Sequence, residues 1–130
     1  MDLITITRRE GLAFDVRLRG HVVTTDMAPA EGGRDTGLNP VELLAASVGS
    51  CIATMAQAYC TARGYTRGDV GVTLTLEMGE HPKRIAGLVL DLELPADVPP
   101  EARGQLRHLV DGFPVPQTLR QAPRLDIEVT

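Results

Sequence analysis

The chain has 130 residues, the size of one domain, and its 43% apolar and 23% charged residues are enough to build one core without disulfides or metal. A net charge of −4 with a pI near 5.3 excludes the basic footprint of a nucleic-acid binder, and 3% aromatics with no Trp exclude stacking platforms for bases. No basic-then-apolar leader opens the sequence and no uninterrupted apolar run reaches ~18 residues, so neither a signal peptide nor a membrane span is expected. With two cysteines and no export signal, a reducing, cytoplasmic compartment is expected.

Residues 3–25 alternate. Leu3, Thr5 and Thr7 fall on one face and Ile4 and Ile6 on the other, while Phe14, Val16 and Leu18 oppose Asp15, Arg17 and Arg19. Arg9-Glu10-Gly11 is expected to form the first turn and Gly20-His21 the second, which gives a small antiparallel meander. Residues 28–38, broken by Pro29, Gly32, Gly33 and Gly37, read as a loop.

A long helix is predicted over residues 40–63. Asn39 suits the N-cap, Pro40 the first helical position, Glu42 the acid of a capping box and Gly64 the C-terminal stop. Its middle, residues 43–53, carries no charge anywhere around the circumference, so the helix is expected to be buried on all sides. A domain of this size can hardly enclose it alone, and a homodimer is expected to help cover it.

Two strands follow, residues 69–77 with Val70, Val72, Leu74 and Leu76 on one face, and residues 85–94 with Leu88, Leu90, Leu92 and Leu94 on one face. Residues 78–84 join them as a hairpin. A shorter helix opens at Asp97-Val98-Pro99-Pro100-Glu101, carries Leu106, Leu109 and Val110 on one face and ends at Gly112. Residues 125–129 read as a closing strand. Segregated strands with antiparallel links make this an α+β protein, a single domain over residues 1–130.

The histidines, His21, His81 and His108, are isolated, so no metal site is expected, and neither a phosphate-binding loop nor a nucleophile elbow occurs; no cofactor is expected. Cys51 and Cys60 remain. Nine residues apart on one helix, they are half a turn out of phase and separated by roughly 13–14 Å of rise, too far for a disulfide. Cys60 reads as a small apolar residue. Cys51 reads on residue type either as a packed, inert thiol or, given a nearby cation and access, as a nucleophile.

Residues 32–51, with Asn39-Pro40, Glu42-Leu43-Leu44, the Ala45-Ala46 run and Gly49-Ser50-Cys51, resemble the OsmC/Ohr family. The likeness continues through Met55, Tyr59, Arg63-Gly64-Tyr65 and the Val70, Val72, Leu74 alternation, and returns at Phe113-Pro114-Val115-Pro116-Gln117-Thr118-Leu119. The resemblance implies antiparallel sheets around a long central helix with a second, shorter helix, assembled as an intertwined homodimer. It also implies an organic hydroperoxide peroxidase of oxidative or osmotic stress defence, in which Cys51 attacks the peroxide and becomes a sulfenic acid. An Arg and a Glu assist in such proteins; the matching candidates are Arg9 or Arg34, and Glu42, beside the Val41 that stands where Ohr members carry their Glu.

The second, resolving cysteine of the family's Cys-Pro-Val segment is replaced by Phe113. A two-cysteine cycle is therefore closed to this chain, and an external thiol or dithiol reductant is the expected partner. An apolar side chain there also works against the thiolate. The expected substrate is a small apolar peroxide. The alternatives are a non-catalytic OsmC-like dimer binding a small apolar ligand, and a structural protein in which Cys51 is only core. No nucleic acid or membrane partner is expected.

Overall fold

The computed structural model describes residues 2–130. The chain forms two compact units, Met1–Ala46 and Ser47–Thr130, each described by itself.

In the first unit, β1 (Thr5–Glu10), β2 (Ala13–Leu18) and β3 (His21–Thr25) form the expected antiparallel meander in the order β1-β2-β3. Arg9 and Glu10 belong to β1 rather than to a turn: Arg8 pairs with Phe14 and Glu10 with Ala13, which leaves Arg9 as the extra residue of a bulge. The β2–β3 connection is the two-residue turn Arg19-Gly20, both with positive φ, whose twist suits a hairpin.

The loop after β3 is organised by Asp26. Its carboxylate, 3% exposed, accepts hydrogen bonds from the backbone N–H of Met27 (2.7 Å), Arg34 (3.3 Å) and Thr36 (3.2 Å) and from the Thr36 hydroxyl (2.6 Å). Four donors on one carboxylate replace the regular backbone pairing that the loop lacks.

The long helix α1 (Pro40–Ala62) forms as its caps predict. The Asn39 side chain accepts from the Glu42 N–H at 2.8 Å and the Glu42 carboxylate accepts from the Asn39 N–H at 2.9 Å, a reciprocal capping box. At the other end Gly64 has positive φ, and the N–H groups of Tyr65 and Gly64 return to the carbonyls of Cys60 and Thr61.

Within the single chain this helix is buried along one stripe. Ala45, Val48, Ile52, Ala56, Tyr59 and Cys60 form one buried stripe, whereas Val41, Leu44 and Met55 are exposed. An uncharged circumference permits burial on every side, but a single chain covers only one face. By length and composition α1 could cross a membrane, yet its buried stripe from Val48 onward belongs to a globular core.

In the second unit, β4 (Gly71–Gly79) and β5 (Arg84–Glu93) pair antiparallel, with Leu74 opposite Leu90 and Leu76 opposite Leu88. Helix α2 (Pro100–Leu109) inserts Ala102 and Leu106 into the core, and the Tyr59 hydroxyl on α1 donates to the Gln105 side chain at 2.9 Å. The core joins Val48, Ile52, Ala56, Tyr59, Cys60 and Leu106, with the strand leucines packed against it.

Two expectations fail in the last twenty residues. A third helix, α3 (Pro114–Arg120), follows Phe113 where none was predicted. Residues 125–129 form no strand: Leu125, Ile127 and Val129 are 81–95% exposed, because their alternating pattern finds no partner strand within the chain. The class is nonetheless the α+β arrangement predicted, with two small antiparallel sheets and three helices.

Candidate active site

Helix α1 fixes both thiols, and their surroundings differ. Cys60 is fully buried in the second unit's core, and that burial, with the Asp97 carboxylate adding, pushes its thiol above the ordinary range. Cys51 is half-buried and packs against the same core from its edge. Both are free thiols. Cys51 thus touches apolar side chains without being sealed from solvent, as Cys60 is.

Phe113 is 9% exposed and belongs to the core against which Cys51 packs. Its backbone is extended and leads directly into α3, with Pro114 at the first helical position. Here the chain carries a hydrocarbon ring and no sulfur.

The other candidates lie in the first unit, each with a partner of its own. Arg9, re-aimed by the bulge, reaches Asp15 with its Nε at 3.1 Å. Asp15, 6% exposed, also accepts from Arg17 at 3.2 Å and from the Thr24 hydroxyl at 2.9 Å. Arg34 pairs with Glu10 at 2.7 Å on the surface. Glu42 is held in the capping box with Asn39. The structure therefore gives these three residues local structural work, in ion pairs and a helix cap.

A feature not anticipated from the sequence is a pocket of about 660 Å³ within the second unit. Its walls are Leu88, Leu90 and Leu92 from β5, Leu94 just after that strand, and Val48 and Ile52 from α1. Three arginines, Arg103, Arg107 and Arg120, and one acid, Asp111, also line it. The available signal was the repeat of Arg103, Leu106, Arg107 and Val110 at i, i+3, i+4 and i+7, which puts guanidiniums and aliphatic groups on one helical face. Among the described residues no group of His, Cys, Asp and Glu side chains is placed to hold a metal.

A family model described as OsmC-like protein matches residues 32–128. Among curated proteins none matches the chain. Solved structures share the fold at low identity. A hypothetical protein from Aquifex aeolicus VF5 is 20% identical, with a TM-score of 0.77 over 94% of this chain and 89% of that one. An OsmC-like protein from Mycoplasma pneumoniae is 16% identical, with a TM-score of 0.77 over 94% and 89%. The organic hydroperoxide resistance protein OsmC of Legionella pneumophila is 18% identical, with a TM-score of 0.61 over 92% and 89%.

Proposed function

The chain belongs to the OsmC-like protein family, and on that footing we propose that it is a thiol-dependent peroxidase reducing organic hydroperoxides through Cys51. The observation that carries this reading is the contrast between the two thiols: Cys60 is sealed in the core, and Cys51 stands half-buried against an apolar wall. The Legionella pneumophila protein of the same fold is named for organic hydroperoxide resistance, in agreement with this reading.

In the proposed reaction the Cys51 thiolate attacks one peroxide oxygen. An S–O bond forms, the O–O bond breaks, and the alcohol leaves with a proton. Sulfur is oxidised to the sulfenic acid as the peroxide is reduced. Phe113 brings no second thiol and Cys60 is inaccessible, so an external thiol condenses with the sulfenic acid and water leaves. A second external thiol then reduces the mixed disulfide and restores Cys51. Assisting roles for Arg9, Arg34 and Glu42 are part of the proposal, and rates for Arg9→Ala and Arg34→Ala tell which guanidinium contributes.

A homodimer belongs to the same proposal. Leu44 and Met55 on the uncovered face of α1, and Leu125, Ile127 and Val129 in the unpaired C-terminal segment, are exposed in the single chain. A second copy would bury both and pair the C-terminal segment as a strand.

The test is consumption of cumene hydroperoxide with dithiothreitol as reductant. Turnover in the wild type that disappears in Cys51→Ser is the expected result. Equal rates in the two proteins, or no turnover in either, would remove the enzyme reading. A second reading, a dimer that binds a small apolar ligand, is favoured by one observation, the aliphatic pocket of the second unit.

A further inference from the structure

We propose that the pocket of the second unit binds a single-chain aliphatic amphiphile with an anionic head, its tail along the β5 leucines and its head on Arg107. This rests on the ligand-binding reading above and names the ligand's class.

The tail follows from the walls. The pocket's volume, about 660 Å³, lies within the usual range for small-molecule sites. Leu88, Leu90, Leu92, Leu94, Val48 and Ile52 supply aliphatic surface, and no aromatic side chain lines it. Flat ring systems thus lack a stacking partner, whereas a flexible hydrocarbon chain matches the walls.

The head follows from the charges. The chain as a whole carries a net charge of −4, yet three guanidiniums and a single carboxylate line this pocket. Two of the arginines are occupied. Arg103 donates to the carbonyls of Val98 and Pro95, both at 3.1 Å, and Arg120 is paired with Asp111 at 3.1 Å. Arg107 makes no side-chain hydrogen bond or ion pair among the described residues. It stands one turn after Arg103 on the face of α2 that carries Leu106, so an uncommitted cation adjoins an apolar wall. A guanidinium offers paired donors to a carboxylate, sulfate or phosphate head.

The site is separate from the peroxidase chemistry. Cys51 does not line the pocket, although its neighbours Val48 and Ile52 do. Occupancy is therefore read by binding, independently of turnover.

The experiment is calorimetric titration of the full-length protein with dodecanoate, 1-dodecanol and dodecylammonium, each below its micelle concentration. Dodecanoate is expected to bind about tenfold or more tightly than the alcohol, and dodecylammonium more weakly than either, since a charge-assisted hydrogen bond is lost or reversed. Arg107→Gln is expected to bring dodecanoate down to the affinity of the alcohol and leave the alcohol unchanged. Arg107→Lys is expected to recover part of the preference, which a merely misfolded variant would not do. Equal affinity for dodecanoate and dodecanol in the wild type would overturn the anionic head while leaving an apolar ligand site. Absence of binding by all three would overturn both, and would mean that the pocket is filled in solution, for instance by a second copy of the chain.

Discussion

Phe113 is buried in the same core against which Cys51 packs, so the interior that backs this half-buried thiol includes an aromatic ring. A ring so placed contributes to stability. Phe113→Ala is expected to lower unfolding free energy by about 3 kcal/mol or more, the usual cost of removing a buried aromatic ring. Urea denaturation measures it; a change within about 0.5 kcal/mol, the range of an ordinary surface substitution, would show that the ring does not close this core.

The two cysteines should separate by reactivity. Cys60 is fully buried with its thiol disfavoured from ionising, and Cys51 is half-buried. Titration of the native protein with an aromatic disulfide reagent is expected to label Cys51 alone, with Cys60 appearing only on unfolding. Mapping of the label to Cys60 in the native protein would contradict the packing described for α1.

Gly33 and Gly37 are required by close approach. A Cβ at Gly33 would collide with the Met27 carbonyl, and one at Gly37 with the Thr24 carbonyl. Neither obstacle is a flexible side chain, so the loop would have to move, and the hydrogen bonds that Asp26 collects from Arg34 and Thr36 would be disturbed. Gly33→Ala and Gly37→Ala are each expected to cost about 1–3 kcal/mol. Gly104, whose Cβ would meet nothing, is the control: Gly104→Ala in α2 is expected to be neutral or to stabilise by up to about 1 kcal/mol.

Acid should weaken the first unit. The Thr24 hydroxyl, against the opposing effect of burial and with help from Arg9 and Arg17, holds Asp15 below its ordinary value of 3.8. The Thr36 hydroxyl and then the Met27 N–H do the same for Asp26, again against burial. Both carboxyls are thus stronger acids folded than unfolded. The stability they confer is present above 3.8 and is lost as pH falls through their lower folded values. Unfolding free energy is expected to be level in this respect at neutral pH and to drop below about pH 4, with Thr36→Val showing a shallower drop. A wild-type curve that stays flat down to about pH 2 would contradict the assignment.

Much of this structure is readable from local chemistry. Asn39, Pro40, Glu42 and Gly64 bound α1 because caps are set by a few adjacent residues. The meander and the β4–β5 hairpin follow from alternation. Helix α3 is hard to see in the sequence because proline is generally unfavourable in helices, although Pro114 and Pro116 both sit in the first turn, where a missing N–H costs nothing. Residues 125–129 show the opposite error: their alternation describes a strand, but a strand needs a neighbour, and sequence alone does not say whether this chain supplies one. The pocket was hidden for a related reason. Its cations come from α2 and α3 and its leucines from β5, and only the tertiary arrangement brings them together. For Arg9 and Arg34 the sequence marks the guanidinium but not the carboxylate that holds it, Asp15 in one case and Glu10 in the other.

Peroxide reduction by Cys51 is tested most directly by intact-protein and peptide mass spectrometry after one equivalent of cumene hydroperoxide, with a sulfenic acid trap present and no reductant. A trapped sulfenic acid at Cys51, formed within seconds, with Cys60 unmodified, is the expected result. A protein that leaves the peroxide unconsumed and Cys51 unoxidised would contradict it.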